Sequence, residues 1–153
     1  MHKVSITPFK VIGISVRTSN SNGKAAQDIP QLWSRFIVEG IAAKIPNKLD
    51  GRIFCIYTNY EGDHNLPYDT VLGCSVSSLK DIPEGMTGLE IAGGEYDQVT
   101  VKGDLTQGLV YRAWENIWER QLDRKYAADF EIYDERAQDR HHAVVDILVG
   151  LNR

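Results

Sequence analysis

The chain repeats itself, and the repeat limits what it can fold into. Each half reads as strand, helix, strand, strand. The third element of each half carries the same four-residue frame, Phe54-Cys55-Ile56-Tyr57 in the first and Phe130-Glu131-Ile132-Tyr133 in the second. A match at the same place in the same order of elements marks an internal repeat. Repeat unit one spans about residues 1–80 and unit two about 87–153, joined by the linker Asp81-Ile-Pro-Glu-Gly-Met86, so that 1–153 forms a single domain. With 153 residues in all, the two halves are small enough to share one core. Paired about a pseudo-twofold, they would join their sheets, place both helices on one face and leave a cleft between the helices.

The pattern fixes the elements. Residues 9–18 read as the first strand, with Gly13 marking a bulge or a close backbone approach. A helix is expected over 29–45, with Asp28 as its cap, Pro30 in its first turn and an apolar stripe of Trp33, Phe36, Ile37, Ile41 and Ile45. Strands follow over 52–60 and 70–76, separated by a loop with turn chemistry. In the second half a strand region over 87–102 is bent at Gly93-Gly94. A helix over 106–126 carries Leu109, Val110, Ala113, Trp114, Ile117, Trp118 and Leu122 on one stripe, and two strands close the chain.

The segment Phe130-Glu131-Ile132-Tyr133 carries the chemistry. Strand alternation puts Phe130 and Ile132 on one face and Glu131 and Tyr133 on the other. A carboxylate beside a tyrosine ring, with Trp114 and Trp118 upstream, suits an organic cation: the carboxylate supplies charge and the rings a flat apolar surface. The plainer reading has Glu131 and Tyr133 facing water on a half-exposed strand.

Charge and motifs narrow the classes. A net charge of −4 and a pI near 5.5 give no basic footprint for direct nucleic-acid binding. No apolar run approaches a membrane span, and the N-terminus lacks the apolar core of a signal peptide, so a cytoplasmic location is expected. Cys55 and Cys74 form no Cys-x-x-Cys and read as free, buried thiols. The four histidines show no metal spacing, and no phosphate-cradling glycine motif or nucleophile–base pair stands out, so neither metal nor cofactor is expected.

At these residues the chain resembles the GyrI-like small-molecule-binding domain, also the effector-binding domain of AraC- and MerR-type multidrug regulators. The resemblance rests on Val11-Ile-Gly13, Trp33 with Phe36, and Ile45-Pro46-Asn47. It continues through Ile56-Tyr-Thr-Asn-Tyr60, Tyr68 to Leu72-Gly73, Ile82-Pro-Glu-Gly-Met86 and Ile91-Ala-Gly-Gly-Glu-Tyr96, and ends at Trp114 with Trp118 and Phe130-Glu131-Ile-Tyr133. It implies an α+β fold of two strand-helix-strand-strand units with a central ligand cleft, and the binding of bulky, hydrophobic, preferably cationic compounds. It places Glu131 as the acidic group at the cleft bottom and matches Trp33, Phe36, Tyr57, Tyr60 and Trp114 to its aromatic walls, with Tyr133 beside Glu131. Regulators of this kind carry a helix-turn-helix ahead of the domain. Fewer than ten residues precede the first strand here, so a stand-alone domain is expected, reaching transcription only through a protein partner.

Two other classes stay open. Some proteins of similar sequence hydrolyse strained cyclopropane-bearing toxins, where Glu131 would act as general acid or base with Tyr133 or Tyr57 as proton partner. Others inhibit DNA gyrase through an exposed surface, for which the acidic loops at Asp134-Glu135 and Glu61–Asp63 are the candidates. The residues favour binding over both, and so point away from an enzyme.

Overall fold

A computed structural model, describing residues 2–152, lays both halves into one eight-stranded antiparallel sheet. The first half supplies β1 (Lys3–Ile6), β2 (Phe9–Thr18), α1 (Lys24–Val38), the one-turn α2 (Ile41–Lys44), β3 (Ile53–Thr58) and β4 (Tyr68–Val76). The second supplies β5 (Thr87–Ile91), β6 (Gly94–Gly103), α3 (Leu109–Glu119), β7 (Ala128–Tyr133) and β8 (Ala143–Gly150). The strand order is β1-β6-β8-β7-β3-β4-β2-β5. Its inner six strands are the two repeat units, β6-β8-β7 and β3-β4-β2, meeting at the β7–β3 pair. β1 and β5 add one strand to each outer edge.

The register at the seam shows the symmetry. Phe54 pairs with Ile132, Cys55 with Glu131 and Ile56 with Phe130. The pseudo-twofold axis therefore passes between Cys55 and Glu131, the two equivalent positions of the repeated frame.

Alternation sorts the side chains into two layers. Phe54, Ile56 and Phe130 enter a core on the face away from the helices, with Val11, Val71, Tyr96 and Leu148. The sheet curls into a half-barrel around this core, and Val4 and Ile6 of β1, Phe9 of β2 and Leu89 of β5 pack against it. Phe9 lies 5.3 Å from Phe54 and 5.2 Å from Phe130, ring centre to ring centre. The helical face carries two separate clusters. Leu32, Phe36 and Ile41 pack on Ile12, Cys55 and Leu72 in one, and Ala113, Trp114 and Ile117 on Val145, Ile147 and Val149 in the other. Tyr57 and Tyr133 touch both clusters and form the bridge between them.

Gly13 makes a close backbone approach rather than a bulge. It pairs with Gly73, and a Cβ on either would sit 2.2 Å from a carbonyl oxygen of the other strand. Cys55 and Cys74 are both buried and unpaired. No described helix is long and apolar enough to cross a membrane.

The helix limits differ from those expected. α1 starts at Lys24, five residues before the expected 29, because Gly23 takes the left-handed cap (φ 69°) and Ala25-Ala26-Gln27 are strong helix formers. Asp28 is thus no cap. It lies inside the helix and pairs with Lys24 at 2.6 Å, and Pro30 is likewise internal. The expected single helix to Ile45 breaks at Gly40 (φ 61°), and the core face turns to Leu32 and Phe36, leaving Ile37 68% exposed. The second helix is shorter than the expected 106–126. A 3-10 turn over Leu105–Gln107, capped by Asp104, precedes α3, which ends at Glu119. Two buried acids draw the following chain off the helix axis: Arg120 binds Asp97 at 2.8 Å and Arg124 binds Asp129 at 2.7 Å. Leu122 leaves the helix yet still packs on the α3 cluster.

Candidate ligand cleft

Because the two helical clusters are separate, a cleft of about 960 Å³ opens between α1 and α3. Its floor is the β3–β7 seam. Ile29, Pro30, Trp33 and Ile37 line the α1 wall, and Val110, Tyr111, Trp114 and Trp118 the α3 wall. Tyr57, Tyr60, Tyr68, Glu131 and Tyr133 line the floor and its ends. The rings meet mostly edge to face. Trp33 sits 4.8 Å from Tyr133 at 76°, Tyr57 5.6 Å from Trp114 at 90°, and Tyr57 5.8 Å from Tyr68 at 84°.

Glu131 is the floor's charged group and is 1% exposed. One carboxylate oxygen, Oε2, accepts from the Tyr57 hydroxyl at 2.6 Å and from the Trp114 Nε1–H at 2.7 Å. The other, Oε1, accepts from the Tyr133 hydroxyl at 2.6 Å. All three donors are neutral, and among the described residues no basic side chain pairs with Glu131. Burial pushes its carboxyl above the ordinary glutamate value, and the three hydrogen bonds pull it partly back. Burial and the Glu131 charge push the Tyr57 and Tyr133 hydroxyls well up, so both stay protonated and donate. Cys55, directly across the seam, is also driven up by burial first and Glu131 second. It remains a thiol 3.4 Å from the Tyr57 oxygen, not a nucleophile.

Six of the seven residues expected at the site line the cleft: Glu131, Trp33, Tyr57, Tyr60, Trp114 and Tyr133. Phe36 does not. It is 2% exposed and packs beneath α1 in the core, because Leu32 and Phe36 form the face that packs on the sheet, while Trp33, about 60° round the helix from Phe36, faces the cavity.

Other lining residues were not foreseen as site residues. Tyr68 shares a strand face with Leu72 and Cys74, which alternation would reveal. Trp118 lies one turn beyond Trp114 and stacks on His64 of the β3–β4 loop at 4.8 Å and 4°, tying that loop to α3. Burial lowers the His64 imidazole, with the Arg124 charge contributing. Arg124 itself was hidden inside the expected helix. Its Nη2 donates to Asp129 Oδ2 at 2.7 Å, and the same oxygen accepts from the Tyr60 hydroxyl at 2.6 Å. Asp129 Oδ1 accepts from the Gly150 N–H at 2.7 Å.

The family model described as Cass2, integron-associated effector binding protein, matches residues 4–151. The chain is 26% identical over 145 residues to YobU of Bacillus subtilis (strain 168), a protein provisionally named a transcriptional regulator; the match spans 92% of this chain and 91% of YobU. An integron cassette protein from the mobile metagenome of Vibrio cholerae has the same fold, with a TM-score of 0.76, 24% identity and coverage of 99% and 95% of the two chains. So does SAV2435, solved bound to tetraphenylphosphonium, with a TM-score of 0.75, 20% identity and coverage of 97% and 91%.

Proposed function

The chain belongs to the family of integron-associated effector-binding proteins, and from that premise we propose that its effectors are bulky, hydrophobic organic cations held in the α1–α3 cleft. One observation carries this reading: Glu131 is buried among aromatic rings with only neutral donors around it. A buried carboxylate without a counter-charge is costly, and a cationic ligand supplies that charge. The surrounding rings add cation–π attraction of about 0.5–2 kcal/mol per contact and accept varied shapes. Charge and bulk then select the ligand more than a pattern of hydrogen bonds does. The tetraphenylphosphonium held by the neighbour SAV2435 is a compound of this class and supports the choice of probe. The regulator-type name of the relative YobU supports a sensing role for effector binding.

The test is isothermal titration calorimetry with tetraphenylphosphonium and tetraphenylborate, two ions of the same shape and opposite charge. Saturable binding of the cation and none of the anion is expected. Equal binding of both, or of neither, would overturn the reading.

A further inference from the structure

We propose that the cleft also reads a hydrogen-bond acceptor on its ligand, through the guanidinium of Arg124, so that the preferred effector is an organic cation bearing a carbonyl-type oxygen. The inference rests on the cation-binding reading and adds a second recognition point to it.

Arg124 is 8% exposed and lines the cleft. Its guanidinium lies over two rings, 4.2 Å from the centre of Tyr126 and 5.8 Å from that of Trp114. Trp114 donates its indole N–H to Glu131, so one ring links the two polar groups of the cleft. An arginine offers five N–H donors. One reaches Asp129 at 2.7 Å, and a second makes only a long contact, 3.5 Å, to the Tyr126 hydroxyl. The buried Nε–H has no acceptor among the described residues.

Among the described residues, Asp129 takes only one of the Arg124 donors. Its two oxygens already accept from Arg124, the Tyr60 hydroxyl and the Gly150 N–H. Buried donors without acceptors are rare in folded proteins, and one that lines a ligand cleft is a recognition element waiting for its partner. Charge selects the kind of acceptor. Asp129 neutralises Arg124, so this end of the cleft carries donors but no net charge. A neutral carbonyl oxygen satisfies them without the desolvation cost of an anion. Glu131 holds the cationic centre and Arg124 the oxygen.

The probes are benzyltriphenylphosphonium cations carrying an acetyl group at the ortho, meta or para position, each paired with its isopropenyl isostere. The pairs share charge and shape and differ in one oxygen. A hydrogen bond from a charged donor predicts that at least one acetyl cation binds about tenfold more tightly than its isostere. Arg124→Lys keeps the positive charge beside Asp129 but removes the guanidinium fork, and this preference should fall below about twofold. In ¹⁵N-correlated spectra of the wild-type protein, the Arg124 Nε–H signal, identified by its loss in Arg124→Lys, should move downfield with that acetyl cation and not with its isostere. The proposal is overturned if no acetyl cation is preferred at any position, if the preference survives in Arg124→Lys, or if the Nε–H signal responds alike to both members of the pair. Tight binding of both members, without preference, would remove the acceptor site and leave the cation site standing. Binding of neither would remove the cation reading itself.

Discussion

Replacing Glu131 by Gln tests the charge argument with almost no change of shape. The glutamine carbonyl can accept from Tyr57 and Trp114, as Oε2 does, and its amide can donate to the Tyr133 oxygen once that hydroxyl turns. The loss is therefore the charge. The central atom of tetraphenylphosphonium is shielded by its rings and can approach the carboxylate to about 6 Å. At an effective dielectric near 20 the attraction is about 3 kcal/mol, and about 2 kcal/mol remains after the ion sheds water. Calorimetry on the alkaline side of the raised Glu131 value should show the cation weakened by roughly 30-fold in Glu131→Gln. For tetraphenylborate the same term has the opposite sign, so the variant should bind the anion more tightly than wild type. Loss of the cation with no gain for the anion would mean that the substitution damaged the shape of the cleft, and the charge argument would fail.

Four further outcomes follow from the same contacts. Burial raises the Glu131 carboxyl, so tetraphenylphosphonium affinity should be full above that raised value and fall as the pH drops through it, while Glu131→Gln shows no such fall; calorimetry across a pH series checks this. In the free protein the raised value is a stability cost, absent below the unfolded-state value and complete above the folded-state one. Glu131→Gln should therefore melt higher than wild type near neutral pH, with the gap closing in acid, as thermal denaturation followed by circular dichroism would show. Trp33→Ala removes a ring whose partner is Tyr133 on the cleft floor, and should weaken cationic and neutral aromatic ligands alike, by about 1–2 kcal/mol in a fluorescence titration. Gly73→Ala would place its methyl 2.2 Å from the Ile12 carbonyl oxygen, where only backbone can yield, and should cost about 3 kcal/mol or more in chemical denaturation.

The way the site arises from a duplicated frame explains what could be read from the chain and what could not. Period-two alternation placed Glu131 and Tyr133 on one face, and both line the cleft; the repeat makes positions 55 and 131 equivalent, and the seam register pairs them. These are local rules, and strands obey them whatever surrounds them. The end of α3 escaped because distant partners set it. Asp97 and Asp129 pull Arg120 and Arg124 away from a helix that propensity alone would continue. With Arg124 displaced, a donor that a helix would have turned elsewhere reaches the cleft, and no periodicity in the sequence announces it. Phe36 shows the same limit from the other side. Trp33 and Phe36 lie on one apolar stripe, yet the three-residue step sets them about 60° apart around the helix, so one faces the cavity and the other the core. Symmetry supplied the cleft, but its chemistry comes from the places where the two halves differ. Cys55 faces Glu131 across the axis as a neutral thiol, so the charge is single. A second carboxylate there would face the first across one pair of strands and hold one of the two protonated, since like charges that close cannot both ionise in a buried site. A single negative charge on the axis between two aromatic walls fits the proposed binding of one cation at a time.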